Sequence, residues 1–228
     1  LPSFYERFAG LRRAGAGARG VDNASPTPGV DEFLAAAWSA IRAGFPSPNP
    51  QLHPRIRPWR DRFAAMGVSG KQFPSSVEAL VRRALKNPDP LRINPLVDFY
   101  NAVSLRYAVP AGGFDLAALH GDLELRLTRA GERFLALDAD AEETVRAGEV
   151  AYADGATILT RHFVWRQARA GLITPQTRDV FLVSEILGEV GEEVAAQILA
   201  EFRDGVARCF STEPLASMLD AARPEAGL

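Results

Sequence analysis

The chain is poor in the residues that most often do visible chemistry. It has one cysteine, Cys209, three histidines, His53, His120 and His162, and only two lysines, Lys71 and Lys86, among 26 basic residues. One thiol excludes an internal disulfide, and this few ligating side chains, none at a zinc-like spacing, excludes a metal centre. Metal-free, cofactor-free chemistry in a reducing cytoplasm is the expectation. No uncharged apolar run approaches the roughly 18 to 20 residues needed to cross a bilayer, and the first 25 residues lack the basic start, apolar middle and small-residue cleavage site of a signal peptide. Membrane and secreted classes are set aside.

What is present fits a folded domain: 47% hydrophobic and 24% charged residues in 228, enough for one domain with trimmings or two small ones. Residues 42–92 hold ten Lys/Arg against Asp61, Glu78 and Asp89, whereas residues 93–228 are net acidic. A basic segment on an acidic body points to an anionic partner, phosphate first, because guanidinium groups bind it bidentately. Solvated helix faces are the alternative reading of the same charges.

Residues 1–29, rich in Gly, Ala, Arg and Pro, read as a flexible arm. Gly15, Gly17 and Gly20 match a dinucleotide fingerprint by count only, with no strand before them and no apolar helix directly after. Helical periodicity predicts helices over 31–43 and 59–66, joined by an extended connection containing prolines 46, 48, 50, 54 and 58. Ser75 followed by Glu78 reads as a capping box opening a helix over 76–86, with Arg82, Arg83 and Lys86 on its outer side. Asn94 as cap and Pro95 at the first helical position open another helix to residue 107. Alternation then predicts strands at 123–127, 133–137, 149–153, 157–165 and 180–186, before a closing helix over 190–210 and a fraying tail, 211–228. Helices, then strands, then a helix make an α+β order: a mixed or antiparallel central sheet with helices packed on it and an N-terminal helical extension.

Residues 93–115 carry a resemblance. Ile93-Asn94-Pro95-Leu96-Val97-Asp98, Asn101, Val103, Leu105, Pro110 and Phe114-Asp115 resemble the pattern N-P-x-V-D-x-x-N, helix, P-x-H-A-F-D of the B3/4 editing domain of the phenylalanyl-tRNA synthetase beta subunit. Gly131-Glu132, Leu137-Asp138 and Ala151-Tyr152-Ala153-Asp154 extend it towards residue 185. The resemblance implies a single domain over 30–215, divided into a basic helical part (30–92), a motif-bearing core (93–187) and the closing helix. It also implies a freestanding aminoacyl-tRNA deacylase acting in trans in translation quality control, with tRNA, through its aminoacyl-adenosine end, as partner. An aminoacyl ester is already activated, so its hydrolysis needs a positioned water and a stabilised oxyanion more than a metal or a strong nucleophile.

Where the family pattern has its histidine the chain has Gly112, followed by Gly113. Two glycines could let backbone N–H groups approach the ester, or form a plain turn. Asn94, Asp98 and Asn101 share one helical face, as caps and scaffold or as adenosine and ammonium contacts. Arg161, His162, Trp165, Arg166 and Gln167 form the second candidate group, lining a cleft if 157–165 is a strand. Arg82, Arg83 and Lys86 are the candidate tRNA contacts. A non-catalytic tRNA- or amino-acid-binding module on a degenerate editing fold is the rival expectation, favoured by the missing histidine.

Overall fold

The computed structural model describes residues 4–45 and 48–227; Pro46 of the proline-rich connection and the extremes of the expected arm and tail lie outside them. In chain order the elements are the helical turn α1 (Phe4–Arg7), strand β1 (Arg12–Ala18), and helices α2 (Pro28–Gly44), α3 (Arg57–Ala65), α4 (Ser76–Lys86) and α5 (Pro95–Tyr107). Strands follow: β2 (Ala111–Asp115), β3 (Leu123–Leu127), β4 (Arg133–Phe134), β5 (Glu143–Thr144), β6 (Val150–Asp154), β7 (Thr157–Ile158), β8 (Thr160–Arg161), β9 (Arg166–Gln167) and β10 (Val180–Ile186). Helix α6 (Glu192–Phe210) and strand β11 (Leu215–Leu219) complete the chain. The fold is α+β, as the element order predicts.

Local chemistry explains the helices that position the site. Asn94 Oδ1 accepts from Val97 N–H at 3.1 Å, satisfying an otherwise unpaired donor at the start of α5. Pro95 sits in the first turn, where its missing N–H costs nothing, and Ala108 stops the helix in the left-handed region at φ 51°. In α4 the stripe Val77, Val81, Ala84 is buried, but the expected capping box does not form. Ser75 Oγ is buried without a hydrogen-bond partner, and the Glu78 carboxylate turns away to Arg60, at 2.7 and 2.8 Å, and to Arg82. Two guanidinium groups outcompete one backbone N–H for a fully buried carboxylate.

The principal sheet has the order β11-β1-β10-β2 and is antiparallel throughout. Its register sets Arg13 opposite Glu185, Gly15 opposite Val183, and Val183 opposite Gly112. A second sheet, β3-β6-β7-β4-β5, is mixed, with β4 and β7 parallel. Ala14, Ala16, Ala18, Leu182 and Ile186 face a core completed by Leu96 and Phe99 of α5 and Ile198, Phe202 and Val206 of α6. The opposite face carries Phe114, Phe181 and Val183 into a core with Tyr152, Leu159 and Phe163 and with Trp59 and Phe63 of α3. Helices α2 and α4 pack outside α5 through Leu34, Trp38, Val81 and Leu105.

Several expectations are corrected. Residues 12–18 are not part of a flexible arm: β1 pairs on both sides. The tail does not simply fray, because β11 pairs with β1. The glycines at 112 and 113 are not in a turn but in β2. Within the proline-rich connection Pro50–Leu52 forms a 3-10 turn and Pro58 lies in the first turn of α3, so it is compact where it is described. The expected strand over 157–165 breaks after Arg161, because His162 and Phe163 take positive φ values of 46° and 64° and turn the chain into β9.

Candidate functional site

Strand β2 is the edge of the principal sheet, and its two glycines meet different surroundings. A Cβ on Gly113 would lie 2.8 Å from Ile173 Cδ1 and Leu182 Cδ2 and 3.0 Å from the Phe181 carbonyl, whereas a Cβ on Gly112 would meet nothing within 4 Å. The backbone groups divide as well. Glu185 N–H donates to Pro110 O across the ladder, and Asp115 N–H donates away from β10, to Gly171 O at 3.0 Å. Gln167 Nε2 donates to Gly113 O at 3.0 Å. Because N–H and C=O of one strand residue point to the same side, the Gly112 amide belongs to the ladder and the Gly113 amide points away from it. Gly113 is therefore the glycine with a backbone donor outside the sheet, and Gly112 is the one with open space over its α-carbon.

The helix candidates are placed elsewhere. Asn94 is 7% exposed and fully engaged: besides capping α5 it accepts from Asn23 Nδ2 at 3.0 Å, while Asn23 Oδ1 accepts from Leu96 N–H at 2.8 Å and its amide also donates to Thr174 O. Asp98 accepts from Ile93 N–H at 3.0 Å. Burial raises its pKa and Asp31 adds to that, against the opposing effects of the Ile93 amide and Arg92. None of these partners lies on β2. Asn101 is half-buried, and its side chain has no hydrogen-bond partner among the described residues.

Of the second group, Gln167 alone touches β2. Arg161 is a structural clamp: its guanidinium binds Glu149 at 2.6 and 3.0 Å and Glu143 at 2.8 Å and lies over Phe134. His162 lies tilted against Phe73 with ring centroids 4.1 Å apart, and Trp165 packs edge-on to the same phenyl ring at 4.6 Å. Both ring nitrogens of His162 are buried without a hydrogen bond, Nδ1 standing 3.6 Å from Glu149, and burial lowers the imidazole pKa, so it is neutral at pH 7. Arg166 pairs with Asp138 and lies over the Trp165 ring. Among the basic candidates Arg82 is tied to Glu78, while Arg83 and Lys86 are exposed.

Sequence reasoning missed the polar group on the face of β10 turned towards the second sheet. Glu185, 4% exposed, accepts from Tyr152 OH at 2.8 Å and lies directly across from Arg13, whose guanidinium donates to Tyr5 OH at 3.0 Å and to Pro224 O. A carboxylate inside the apolar strand Val180–Ile186 was the available signal, since buried charge requires a partner. A cavity of about 600 Å³ between α2 and α5, bordered by Ala36, Ala40, Phe45, His53 and Arg55, contains none of the candidates. Among the described residues no group of three or more His, Cys, Asp or Glu side chains could hold a metal ion, and no helix is long and apolar enough to cross a membrane.

Comparison with known proteins places these features in context. A model of the B3/4 domain matches residues 59–197. The phenylalanine–tRNA ligase beta subunit of Pseudomonas fluorescens is 33% identical over 148 residues, 62% of this chain and 18% of that protein. The same subunit from Pseudomonas putida is 34% identical over 100 residues, 44% of this chain and 12% of that protein. The chain thus spans less than a fifth of the length of these relatives. Among solved structures, an N-terminal fragment of the phenylalanyl-tRNA synthetase beta subunit from Pyrococcus horikoshii matches 57% of this chain and 47% of its own at 12% identity, with a TM-score of 0.42.

Proposed function

The chain belongs to the B3/4 domain family, and on that premise we propose that it hydrolyses the ester of mischarged aminoacyl-tRNA in trans. The observation that carries this reading is the B3/4 match over residues 59–197, which includes α5 and the edge strand β2. Resemblance to an editing domain supplies the reaction, and the geometry of β2 supports a way to perform it. The ester carbonyl lies along the outer side of β2, where the Gly113 N–H donates to the developing oxyanion and Gln167 holds the adjacent carbonyl in place. Open space over Gly112 admits the aminoacyl group. Trp165 and Phe73 offer aromatic faces on which the terminal adenine stacks or against which the amino-acid side chain is measured. Asn101 of α5, half-buried and with no side-chain hydrogen bond among the described residues, is the polar group that helix offers to the nucleotide.

Contact with the acceptor stem falls to exposed cations of the basic segment. Arg82 is committed to Glu78, so Arg83 and Lys86 are the informative pair. Arg83→Ala with Lys86→Ala should weaken tRNA binding about equally for different tRNA sequences and flatten the salt dependence by about one to two in slope. Unchanged affinity and slope would assign both side chains to solvated surface.

The decisive experiment is single-turnover incubation of the protein with a panel of mischarged tRNAs, following release of each amino acid. Release of at least one faster than the spontaneous rate supports the deacylase. A second reading, a tRNA- or amino-acid-binding module without hydrolysis, is favoured by Gly112, which stands where the family pattern has a histidine. Tight binding with no release on any mischarged tRNA would establish it.

A further inference from the structure

The face of the principal sheet turned towards the second sheet is arranged in cross-strand rows. One row contains Arg13, Glu185 and Pro110; the next contains Gly15, Val183 and Gly112; the third contains Gly17, Phe181 and Phe114. Tyr152 of β6 reaches across them. Its ring lies against Phe114 with centroids 5.2 Å apart, and its hydroxyl donates to Glu185 Oε1 at 2.8 Å, so the side chain spans the row that ends in Gly112. A Cβ on Gly112 would meet nothing within 4 Å, and on this same face of the sheet the Glu185 carboxyl and the Tyr152 hydroxyl bound to it stand in the neighbouring row. With Arg13 across from Glu185, they are the polar groups beside a core that is apolar on this face.

We propose that Glu185 is the proton-transfer group of the deacylation, with Tyr152 and Arg13 as its positioning residues. The inference rests on the hydrolytic reading above. As the oxygen of a water forms its bond to the ester carbonyl carbon, the Glu185 carboxylate takes that water's proton. As the bond from this carbon to the ribose oxygen breaks, the carboxyl returns the proton to the ribose oxygen. The products are the free amino acid and the tRNA hydroxyl, with no oxidation and no co-reactant.

Burial supports the assignment, since it pushes the Glu185 carboxyl up to about 7, against the opposing effects of the Tyr152 hydroxyl, its own backbone N–H and Arg13. A group titrating near the working pH exchanges protons most effectively. Among the described residues the charged and titratable groups facing it are Arg13 on β1 and Tyr152 on β6, with Tyr5 of α1 beyond Arg13. Arg13 favours the carboxylate, and the tyrosine hydroxyl orients one of its oxygens.

The test is a pH–rate profile of single-turnover deacylation, with N-acetylated aminoacyl-tRNA as substrate so that the α-amine does not titrate, and with spontaneous hydrolysis subtracted. Wild type should show a limb rising through about pH 7. Glu185→Gln should lose that limb and about 100- to 10,000-fold in rate while its tRNA affinity is unchanged. Tyr152→Phe, which removes a hydrogen bond to the charged form, should move the limb to higher pH. A Glu185→Gln protein with the wild-type rate and limb would overturn this inference and leave the deacylase standing. Should Glu185→Gln fail to fold, the decision passes to Tyr152→Phe: a shifted limb supports the role, and a limb that is absent or unmoved overturns it. Wild type inert on every mischarged tRNA would overturn both the function and this inference.

Discussion

Alternate residues of β1 and β10 give the principal sheet two unlike faces. Towards α5 and α6 the strands present Ala14, Ala16, Ala18, Val180, Leu182 and Ile186, with Ser184 the one hydroxyl, satisfied by Pro110 O at 2.8 Å. Towards the second sheet the same strands present Arg13, Gly15, Gly17, Phe181, Val183 and Glu185. The first face is apolar apart from Ser184 and, at its end, Arg12, and it is closely filled. The second mixes a buried ion, a carboxyl and glycines, and keeps open space at Gly112. Close packing supplies stability, whereas buried polar groups and unfilled volume cost stability and are retained where a ligand or a reaction uses them. On the proposed function the helix-covered face is the scaffold of the domain and the other face its working side.

The largest effect should come from the scaffold. Phe202 is fully buried among α5, α6 and the sheet, so Phe202→Ala should destabilise the fold by about 3 to 5 kcal/mol. Denaturant unfolding measures the loss, and a value below about 1 kcal/mol would break the assignment of stability to this face. Next comes the ionisable group on the working side. Its folded pKa of about 7 stands above the usual carboxylate value of 4.5, so native and unfolded states are equally protonated at low pH. As pH rises past about 4.5 the unfolded chain releases its proton first, and native stability falls until the folded carboxyl has titrated near 7. Wild type should thus lose roughly 3 kcal/mol relative to Glu185→Gln across that window, which paired melts at several pH values would detect. A pH-independent difference would mean that Glu185 is ionised at little cost.

The two faces were not equally legible in the sequence. Helices α4 and α5 and strands β3 and β10 fall on the boundaries read from caps, prolines and periodicity, because each shows its apolar pattern within its own residues. Strand β1 does not. Arg-Arg-Ala-Gly-Ala-Gly-Ala contains no β-branched or aromatic residue, and its glycines exist for another strand's side chain: a Cβ on Gly15 would lie 2.9 Å from the Phe181 ring. That requirement is invisible until β10 is placed beside it. The site was half-legible for the same reason. Asn94 could be read as a cap from its neighbours, but the pairing of Arg13 with Glu185 joins opposite ends of the chain. The turn at His162 and Phe163, in the left-handed region without a glycine, carries no local signal either.

Gly113 belongs to the scaffold face by its α-carbon and to the working edge by its amide. Gly113→Val would drive methyl groups into Ile173, Leu182 and the Phe181 carbonyl, and overpacking of this kind costs about 1 to 3 kcal/mol. Loss of activity in that variant would report packing together with chemistry. The measurement that sharpens the comparison is its unfolding free energy: a neutral value would mean that Ile173 and Leu182 yield readily and that the scaffold face is looser than its contacts imply.

The smallest effect on stability, and the most selective one on function, should come from the adjacent residue. Gly112 does not occupy the left-handed region, its amide is held in the ladder, and a Cβ there would meet nothing within 4 Å. An alanine fits the native backbone without strain and restricts the unfolded chain, so Gly112→Ala should be neutral or stabilising by about 0.4 to 1 kcal/mol. On the proposed function the added methyl projects into the space the aminoacyl group enters, beside the Tyr152 hydroxyl and the Glu185 carboxyl. Deacylation should fall most for the bulkiest amino acid accepted, while tRNA affinity stays level, since the exposed cations of α4 are untouched. Melting curves beside single-turnover rates on a small and a large mischarged amino acid separate the cases. A stable Gly112→Ala protein with wild-type rates on both would show that the space above β2 is not the acyl pocket, and a destabilised one would show that this face is packed as tightly as the other.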